Sequence, residues 1–397
     1  MPVKRMTDYR GEDMQYRQFG NLEFQVSSFG LGCMRLPLEE QPEGGKDASR
    51  IHEEEAIELI RYAIDQGVTY VDTAYPYHGG NSELVVGKAL KDGYREKVKL
   101  ATKLPVWLCK TYEDFGRLLD EQLAKLQVDY IDFYLLHALN KNSWKTIMSL
   151  GVLDFLDEAV AQGKIRYPSF SFHDELPLFK EIIDAYDWKM CQIQLNILDV
   201  NYQAGLEGLQ YAADRNIPVV IMEPLKGGSL ARNVPDDILG IWEEADTQHS
   251  PVDWAFRWVG NFPQVTTILS GVNNLEQLKD NLQIFDTITP DSMNGKELGL
   301  VQRVKEAYES KIKVGCTKCG YCVPCPAGVA IPDVFAHYNH SSIFNALPDS
   351  QRNYANLVKN SKDASLCVEC GNCEEACPQS IPIIEKLAEA DLVLAGR

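Results

Sequence analysis

Eight of the eleven cysteines in this chain lie between residues 316 and 377, in two runs. The first is Cys316-x2-Cys319-x2-Cys322-x2-Cys325-Pro326. The second is Cys367-x2-Cys370-x2-Cys373-x3-Cys377-Pro378. Thiolates at i, i+3 and i+6 let one loop wrap three corners of an iron–sulfur cubane, and a fourth thiolate followed by proline ligates the other cluster of a pair. The spacing therefore predicts two [4Fe–4S] clusters with crossed ligation. Cys316, Cys319, Cys322 and Cys377 would hold one; Cys367, Cys370, Cys373 and Cys325 would hold the other. Structural zinc is the competing reading, but it uses separated C-x2-C pairs rather than triplets ending in Cys-Pro. The first run departs from the pattern, with x2 instead of x3 before its last cysteine. An odd total, so unevenly spread, fits disulfide pairing poorly. Cys33, Cys109 and Cys191 stand apart and are expected to be small buried hydrophobes.

A second set of chemically capable residues stands where successive apolar runs end. Asp72 lies near the end of VTYVDTA, with Tyr77 on the loop beyond it; Lys103 ends VKLATK; His137 ends YIDFYLLH. Reducing a carbonyl with hydride leaves an alkoxide that needs a proton. A phenol can supply it, although its free pKa is ~10. A neighbouring ammonium stabilises phenolate and lowers that value. Tyr77 thus reads as the proton donor and Lys103 as the ammonium. Asp72 orients Lys103, and His137 polarises the substrate carbonyl by a hydrogen bond. Taken singly, each has an ordinary reading as a turn, cap or core group. Their joint placement points to carbonyl chemistry on a small molecule.

The elements that must position these groups are an alternation of strands and helices. Tyr16 to Val26 reads as an opening hairpin turning at Gly20-Asn21. Apolar runs then recur at 26–32, 68–74, 98–103, 130–137, 165–172, 190–196, 217–225 and 265–271. Amphipathic helical patterns fill the gaps. Ala56, Ile60, Ala63 and Ile64 share one face; Phe115, Leu118, Leu119, Leu123 and Leu126 share another. Eight strand–helix units predict a (β/α)8 barrel, whose reactive groups gather at the C-terminal ends of its strands. An open doubly wound sheet is the alternative, and the lack of G-x-G-x-x-G after the first strand weakens it. Pro168, inside the fifth run, predicts a kinked strand. Leu298 to Lys311 reads as a linking helix and Ile381 to Leu394 as a closing one. The division is then a barrel over 15–300 and a small, mostly helical two-cluster domain over 301–397. A net charge of −18 over 397 residues excludes a nucleic-acid binder, which needs a basic face. No run is long enough for a membrane span. The N-terminus lacks the apolar stretch of a secretory signal. A cytoplasmic protein is expected.

The segments VDTAYPYHGGNSELVVGKAL, ATK and DFYLLH resemble the signatures of the aldo-keto reductase family. The resemblance runs from Tyr16 to Leu282. With the cysteine tail, the whole chain resembles the subgroup that carries a C-terminal [4Fe–4S] ferredoxin-type domain. It implies a (β/α)8 barrel, NAD(P)H, and a catalytic tetrad of Asp72, Tyr77, Lys103 and His137. It also implies cofactor contacts. Ser171 and Gln192 would hold the nicotinamide carboxamide, though Phe172 replaces the family's Asn beside Ser171. Met222 stands in for an aromatic against the nicotinamide ring, and Glu223 for a neighbouring Ser. Asn281 matches an adenine contact. Gly271 and Gln277 occupy the basic clamp for a 2′-phosphate, which favours NADH over NADPH; Lys279 is nearby. Gly227, in Lys226-Gly227-Gly228, would allow close approach to the pyrophosphate, a plain turn being the equal alternative. His78, His173 and Trp107 are candidates for the pocket wall, with plain loop or core roles beside that.

The leading expectation is an oxidoreductase that reduces a carbonyl compound with NAD(P)H and carries an iron–sulfur electron-transfer domain. Nicotinamide delivers a hydride, whereas each cluster carries one electron, so direct exchange calls for an adaptor such as flavin. The sequence carries no flavin signature. One alternative is a reductase driven through its clusters by a partner such as ferredoxin, with flavin assisting. Another is a non-enzymatic redox-sensing module, against which the intact tetrad argues.

Overall fold

The computed structural model describes residues 14–40 and 47–396. The N-terminal segment read above for a secretory signal lies outside these residues. The chain forms two compact units. One runs up to Lys226 and resumes over Asp253–Asn294; the other joins Gly227–Val252 to Gly295–Arg397.

The first unit opens with an antiparallel hairpin, β1 (Tyr16–Gln18) and β2 (Gln25–Ser27), whose turn carries Gly20 at φ +53°. A Cβ there would stand 2.7 Å from the Pro218 ring, so glycine is needed on both counts. Eight parallel strands follow and close into a barrel: β3 (Phe29–Gly32), β4 (Tyr70–Asp72), β5 (Lys99–Leu104), β6 (Ile131–Leu139), β7 (Ile165–Phe172), β8 (Met190–Gln194), β9 (Val219–Met222) and β10 (Val265–Ser270). Each predicted run supplies one barrel strand. The first run is shared, because Val26 and Ser27 end the hairpin before Phe29 begins β3. Phe19, in the hairpin turn, is fully buried against Tyr70, Phe133, Leu135 and Met190. Burying that ring removes apolar surface from water where the strands begin and leaves the other end of the barrel for chemistry.

Helices cover the strands. In chain order they are α1 (Glu53–Asp65), α2 (Ser82–Ala89), α3 (Glu113–Leu126), α4 (Lys141–Ser149), α5 (Val152–Ala161), α6 (Leu176–Ala185), α7 (Gly205–Ala213), α9 (Pro251–Gly260) and α10 (Leu275–Phe285), while α8 (Asp236–Trp242) belongs to the second unit. In α1 the His52 ring accepts the Glu55 N–H as a cap, and three glutamates in the first turn suit the helix dipole. Its buried stripe is Ala56, Leu59, Ile60, Ala63 and Ile64, the predicted face plus Leu59. In α3 the buried stripe includes Gln122, while Leu123 is only half-buried.

The expected kink at Pro168 does not occur. β7 is continuous and keeps its register with β6 from Phe133 opposite Tyr167 to Leu136 opposite Phe170. The reason is the side on which proline falls. Its carbonyl accepts the Lys189 N–H at 3.0 Å, and a residue's N and O point to the same neighbouring strand. The missing N–H therefore faces the chain just before β8 starts at Met190, and no ladder bond is lost.

The second unit is helical. It contains α8 and α11 (Gly295–Glu309), then α12 (Ile331–Ile343), α13 (Leu347–Lys359), the short α14 (Asn372–Glu375) and α15 (Ile383–Leu394). Ion pairs Lys296–Asp246, Arg303–Glu244 and Lys311–Asp237 fasten α11 to the segment around α8. The core joins Val334, Phe335 and Tyr354 to Ile383, Leu387 and Leu394. The Tyr354 hydroxyl accepts the Ala364 N–H at 2.9 Å and donates to Asp391 at 2.7 Å, tying α13 to α15 and to the start of the second cysteine run. Six of the eight clustered cysteines pack against this core. Among the described residues, no helix is long and apolar enough to cross a membrane.

Candidate active site and cysteine-lined cavities

Three adjoining strand ends, and the turn after the first of them, bring the tetrad residues together. Asp72 closes β4 and Lys103 stands one residue before the end of β5. His137 lies near the end of β6, and Tyr77 opens a 3-10 turn just after β4. Lys103 Nζ donates to Asp72 Oδ1 at 2.6 Å, to the Thr73 carbonyl at 2.8 Å and to the Tyr77 hydroxyl at 3.4 Å. Both Asp72 and Lys103 are buried. Burial alone would lower the Lys103 pKa, but Asp72 and Tyr77 outweigh it and hold the ammonium above its ordinary range. Burial raises the Tyr77 phenol, and Lys103 only partly pulls it back. The expected lowering of the phenol pKa is thus overcome by desolvation, and Tyr77 rests as the protonated acid. The His137 ring stands 6.2 Å from the Tyr77 ring, edge to face, and its Nδ1 is buried with no hydrogen-bond partner.

Sequence reasoning missed the layer behind Lys103. Glu83 of α2 is fully buried. Its Oε1 accepts from Thr102 Oγ1 at 2.7 Å and from Gln122 Nε2 at 2.6 Å. Gln122 also donates to the Lys103 carbonyl at 3.0 Å, and its own oxygen accepts from Tyr134 at 2.8 Å. Oε2 of Glu83 has no hydrogen-bond partner; Lys125 stands 3.9 Å away. Burial accordingly raises the Glu83 pKa. The signal was present in α3: a glutamine on an otherwise apolar stripe. This network grips β5 on its outer face, at the residues from which Lys103 projects inward. Glu83→Leu is expected to lower kcat roughly 10- to 100-fold with little change in KM for dinucleotide. Glu83→Gln, which keeps the acceptor oxygen, should retain most of the rate. Steady-state kinetics of the two variants checks this, and an unchanged kcat in Glu83→Leu would refute it.

The residues assigned to the cofactor differ in how they are engaged. Ser171 Oγ accepts the Ala138 N–H at 2.8 Å, leaving its own O–H to donate. Gln192 Nε2 meets the Met222 sulfur at 3.5 Å, while its Oε1 is buried and unpartnered. A primary carboxamide offers one acceptor oxygen and an N–H donor pair, and this pair of side chains complements both. The residues present therefore fit a nicotinamide. Phe172, where the family has Asn, is core: it is buried against Phe179 with ring centres 5.2 Å apart. Asn281 is buried and donates to Ser270 Oγ at 3.0 Å. Lys279 lies over the Tyr62 ring, 5.6 Å from its centre. Gln277 accepts the Asn273 N–H at 3.2 Å. Gly227 belongs to the second unit, at φ +66° in the turn Lys226–Gly228.

The clustered cysteines border two cavities. One, of about 220 Å³, is lined by Cys325, Cys367, Cys370 and Cys373, with Cys322 also on its wall. The other is lined by Cys316, Cys319, Cys322 and Cys377. Burial raises the Cys322 thiol, and Cys316, Cys319 and Cys377 add to that rise. Both cavities carry thiol-bearing residues of both cysteine runs on their walls. Among the described residues, no three His, Cys, Asp or Glu side chains are placed to share a single metal ion. Soft thiolate donors spaced around a void fit an iron–sulfur cluster.

Comparison with known proteins agrees with this geometry. Residues 29–296 match the aldo/keto reductase family. The chain belongs to that family. Residues 315–381 match the 4Fe-4S dicluster domain. Among curated relatives, "Probable aldo-keto reductase 1" of Glycine max is 32% identical over 162 residues, 39% of this chain and 44% of that protein. The "NADH-specific methylglyoxal reductase" of Escherichia coli (strain K12) is 25% identical over 334 residues, 73% of this chain and 98% of that one. Among solved structures, aldo-keto reductase AKR11C1 from Bacillus halodurans in its holo form superposes with a TM-score of 0.60 at 26% identity, covering 73% of this chain and 96% of that chain.

The three pocket-wall candidates of this aldo/keto reductase are engaged in different ways. His78, at φ +54°, is a loop fastener: its Nδ1 meets the Ala48 carbonyl at 2.7 Å and its Nε2 accepts the Leu36 N–H at 3.2 Å. Trp107 is half-exposed, with its ring 5.1 Å from that of His137. His173 is half-buried, and its charge would be felt at His137. Burial, then Lys103 and His173, lowers the His137 pKa to about 3 from its ordinary 6.5. Between those values the unfolded chain binds a proton that the folded chain refuses. The contribution of His137 to stability is therefore intact above pH 6.5 and is lost as the pH falls toward 3. Urea midpoints are expected to fall more steeply over that window in the wild type than in His137→Gln. Equal slopes would show that His137 titrates normally.

Proposed function

We propose that this aldo/keto reductase reduces a small carbonyl compound with NADH through Asp72, Tyr77, Lys103 and His137. The observation that carries the reading is the buried Lys103 ammonium held between Asp72 Oδ1 and the Tyr77 hydroxyl. When bound, the reduced nicotinamide supplies hydride to the carbonyl carbon. Ser171 would donate to the carboxamide oxygen and Gln192 Oε1, buried and unpartnered, would accept from the carboxamide N–H. Neutral His137 hydrogen-bonds the substrate oxygen. Tyr77 passes its proton to that oxygen as negative charge develops, and Lys103 stabilises the phenolate left behind. Asp72 keeps Lys103 oriented and charged. Gly271 and Gln277 offer no cation for a 2′-phosphate, and a relative is named for NADH specificity, both of which favour NADH. That relative's name also makes methylglyoxal the first carbonyl to try.

In the second unit we propose two [4Fe–4S] clusters, crossed between the cysteine runs. The cavity linings support this, since each takes cysteines from both runs. Such clusters suit a reducing cytoplasm. An anaerobic absorbance titration with NADH tests the whole reading. The expected result is an unchanged cluster band near ~400 nm, with NADH consumed only once a carbonyl such as methylglyoxal is added. Bleaching of the band by NADH alone would overturn it in favour of an enzyme that passes electrons through its clusters, and a flavin should then be sought.

A further inference from the structure

Strand β8 alternates its side chains across the barrel wall. Met190 packs in the barrel's inner cluster with Phe19, Phe133 and Leu135, so Gln192 and Gln194, on the same side of the strand, face inward as well. Gln194 is the last residue of β8. At ~3.3 Å per residue it stands roughly 7 Å beyond Gln192, toward the C-terminal mouth. Its register partner on β9 is Met222, whose sulfur lies 3.5 Å from Gln192 Nε2. On the other side Ser171 pairs with Gln192, which puts His173, just past β7, level with Gln194. Gln194 is 4% exposed, and its Nε2 is buried with no hydrogen-bond partner. The other unpartnered buried atoms at these strand ends already have a use: Asp72 Oδ2 and His137 Nδ1 belong to tetrad side chains, and Gln192 Oε1 to the carboxamide contact. Among the described residues there, Gln194 Nε2 is the one left over. Folded proteins leave few buried donors unpaired, because each costs its desolvation. An amide donor kept unpaired on an inward position beside the tetrad calls for an acceptor that a ligand brings.

We propose that Gln194 Nε2 donates a hydrogen bond to a second oxygen of the substrate. The substrate class is then a small carbonyl compound with another oxygen acceptor close to the reacting carbon. Its smallest members are 2-oxoaldehydes, 1,2-diketones and 2-hydroxycarbonyls; simple aldehydes and ketones fall outside it. The inference rests on the carbonyl-reduction reading above and names the substrate feature that this site selects. In that reading the nicotinamide does not need this donor, because Ser171 and Gln192 already complement the oxygen and the N–H of its carboxamide. A site that pairs a buried donor with a substrate oxygen rejects the analogue lacking that oxygen, since the analogue leaves the donor unpaired and shut off from water. The second oxygen takes no part in the chemistry. Hydride and the Tyr77 proton go to the first carbonyl, and the product keeps its other oxygen unchanged.

The test uses the full-length protein with NADH and two substrates, methylglyoxal and propanal, which share a carbon chain length and differ by the second oxygen. The readout is the ratio of their kcat/KM values. Comparing that ratio between wild type and variant cancels the difference in intrinsic reactivity. Gln194→Met, close in size but without the donor, is expected to lower the ratio about ten- to a hundredfold. Gln194→Glu, which puts a carboxylate where the donor stood, should lower it at least as far. The Kd for NADH, followed by tryptophan fluorescence, should be unchanged in both, which also shows that the variants fold. A ratio unchanged in both variants overturns the inference and leaves the carbonyl-reduction reading standing. A raised Kd for NADH with an unchanged ratio overturns it too, and assigns the amide to the dinucleotide. A wild type that oxidises NADH with neither compound overturns the inference and the reading together.

Discussion

Tyr77→Phe is expected to reduce NADH-dependent carbonyl reduction by roughly 10²- to 10⁴-fold, the usual contribution of a positioned general acid. The substitution removes a single oxygen. The ring stays, so the edge-to-face packing on His137 and the contact with Lys103 over the ring face survive. What goes is the only phenolic proton that Lys103 touches, at 3.4 Å. Dinucleotide binding should be unaffected, because Ser171 and Gln192 make no hydrogen bond to Tyr77. Quenching of tryptophan fluorescence by NADH measures the binding, and kcat with methylglyoxal measures the chemistry. A variant that binds and turns over like the wild type would remove Tyr77 from the mechanism and with it the reading of the tetrad.

The second large effect concerns the crossing of the clusters, which paired cysteine variants decide. If Cys316 and Cys377 serve the same cluster, then Cys316→Ala, Cys377→Ala and the double variant should each lower iron content to about half. Cys370→Ala combined with Cys377→Ala should empty both sites. With uncrossed runs the two double variants exchange outcomes: the first empties both and the second only one. Iron and acid-labile sulfide per chain, with the spectrum of the reduced protein, separate these cases. The geometry favours crossing because Cys377 lines the cavity of Cys316, Cys319 and Cys322, while Cys325 lines that of the second run.

Several features were legible in the residues because they are local. Each barrel strand came from a short apolar run, and the chain order of runs and helices left few topologies to consider. The cysteine runs declared a cluster because a loop must present three thiols at fixed spacing. Other features were hidden because they depend on partners distant in sequence. Glu83 and Gln122 look like ordinary helix polar residues until α2 and α3 close over β5. Pro168 looked disruptive because a sequence does not say which neighbour its nitrogen faces. Nothing in the composition of Gly227–Val252 marks it as a companion of α11, which its ion pairs make it.

The sequence by itself determined which residues could do chemistry and on which ends of which strands they would stand. Periodicity and motif spacing are properties of the chain alone. Only the tertiary structure decided their reach and their protonation. Lys103 lies 31 residues from Asp72 and 26 from Tyr77 along the chain, yet one ammonium spans both. That contact exists because β4 and β5 lie side by side in a closed barrel. The same closure excludes water, and this is why burial, rather than the neighbouring charge, sets the resting state of Tyr77.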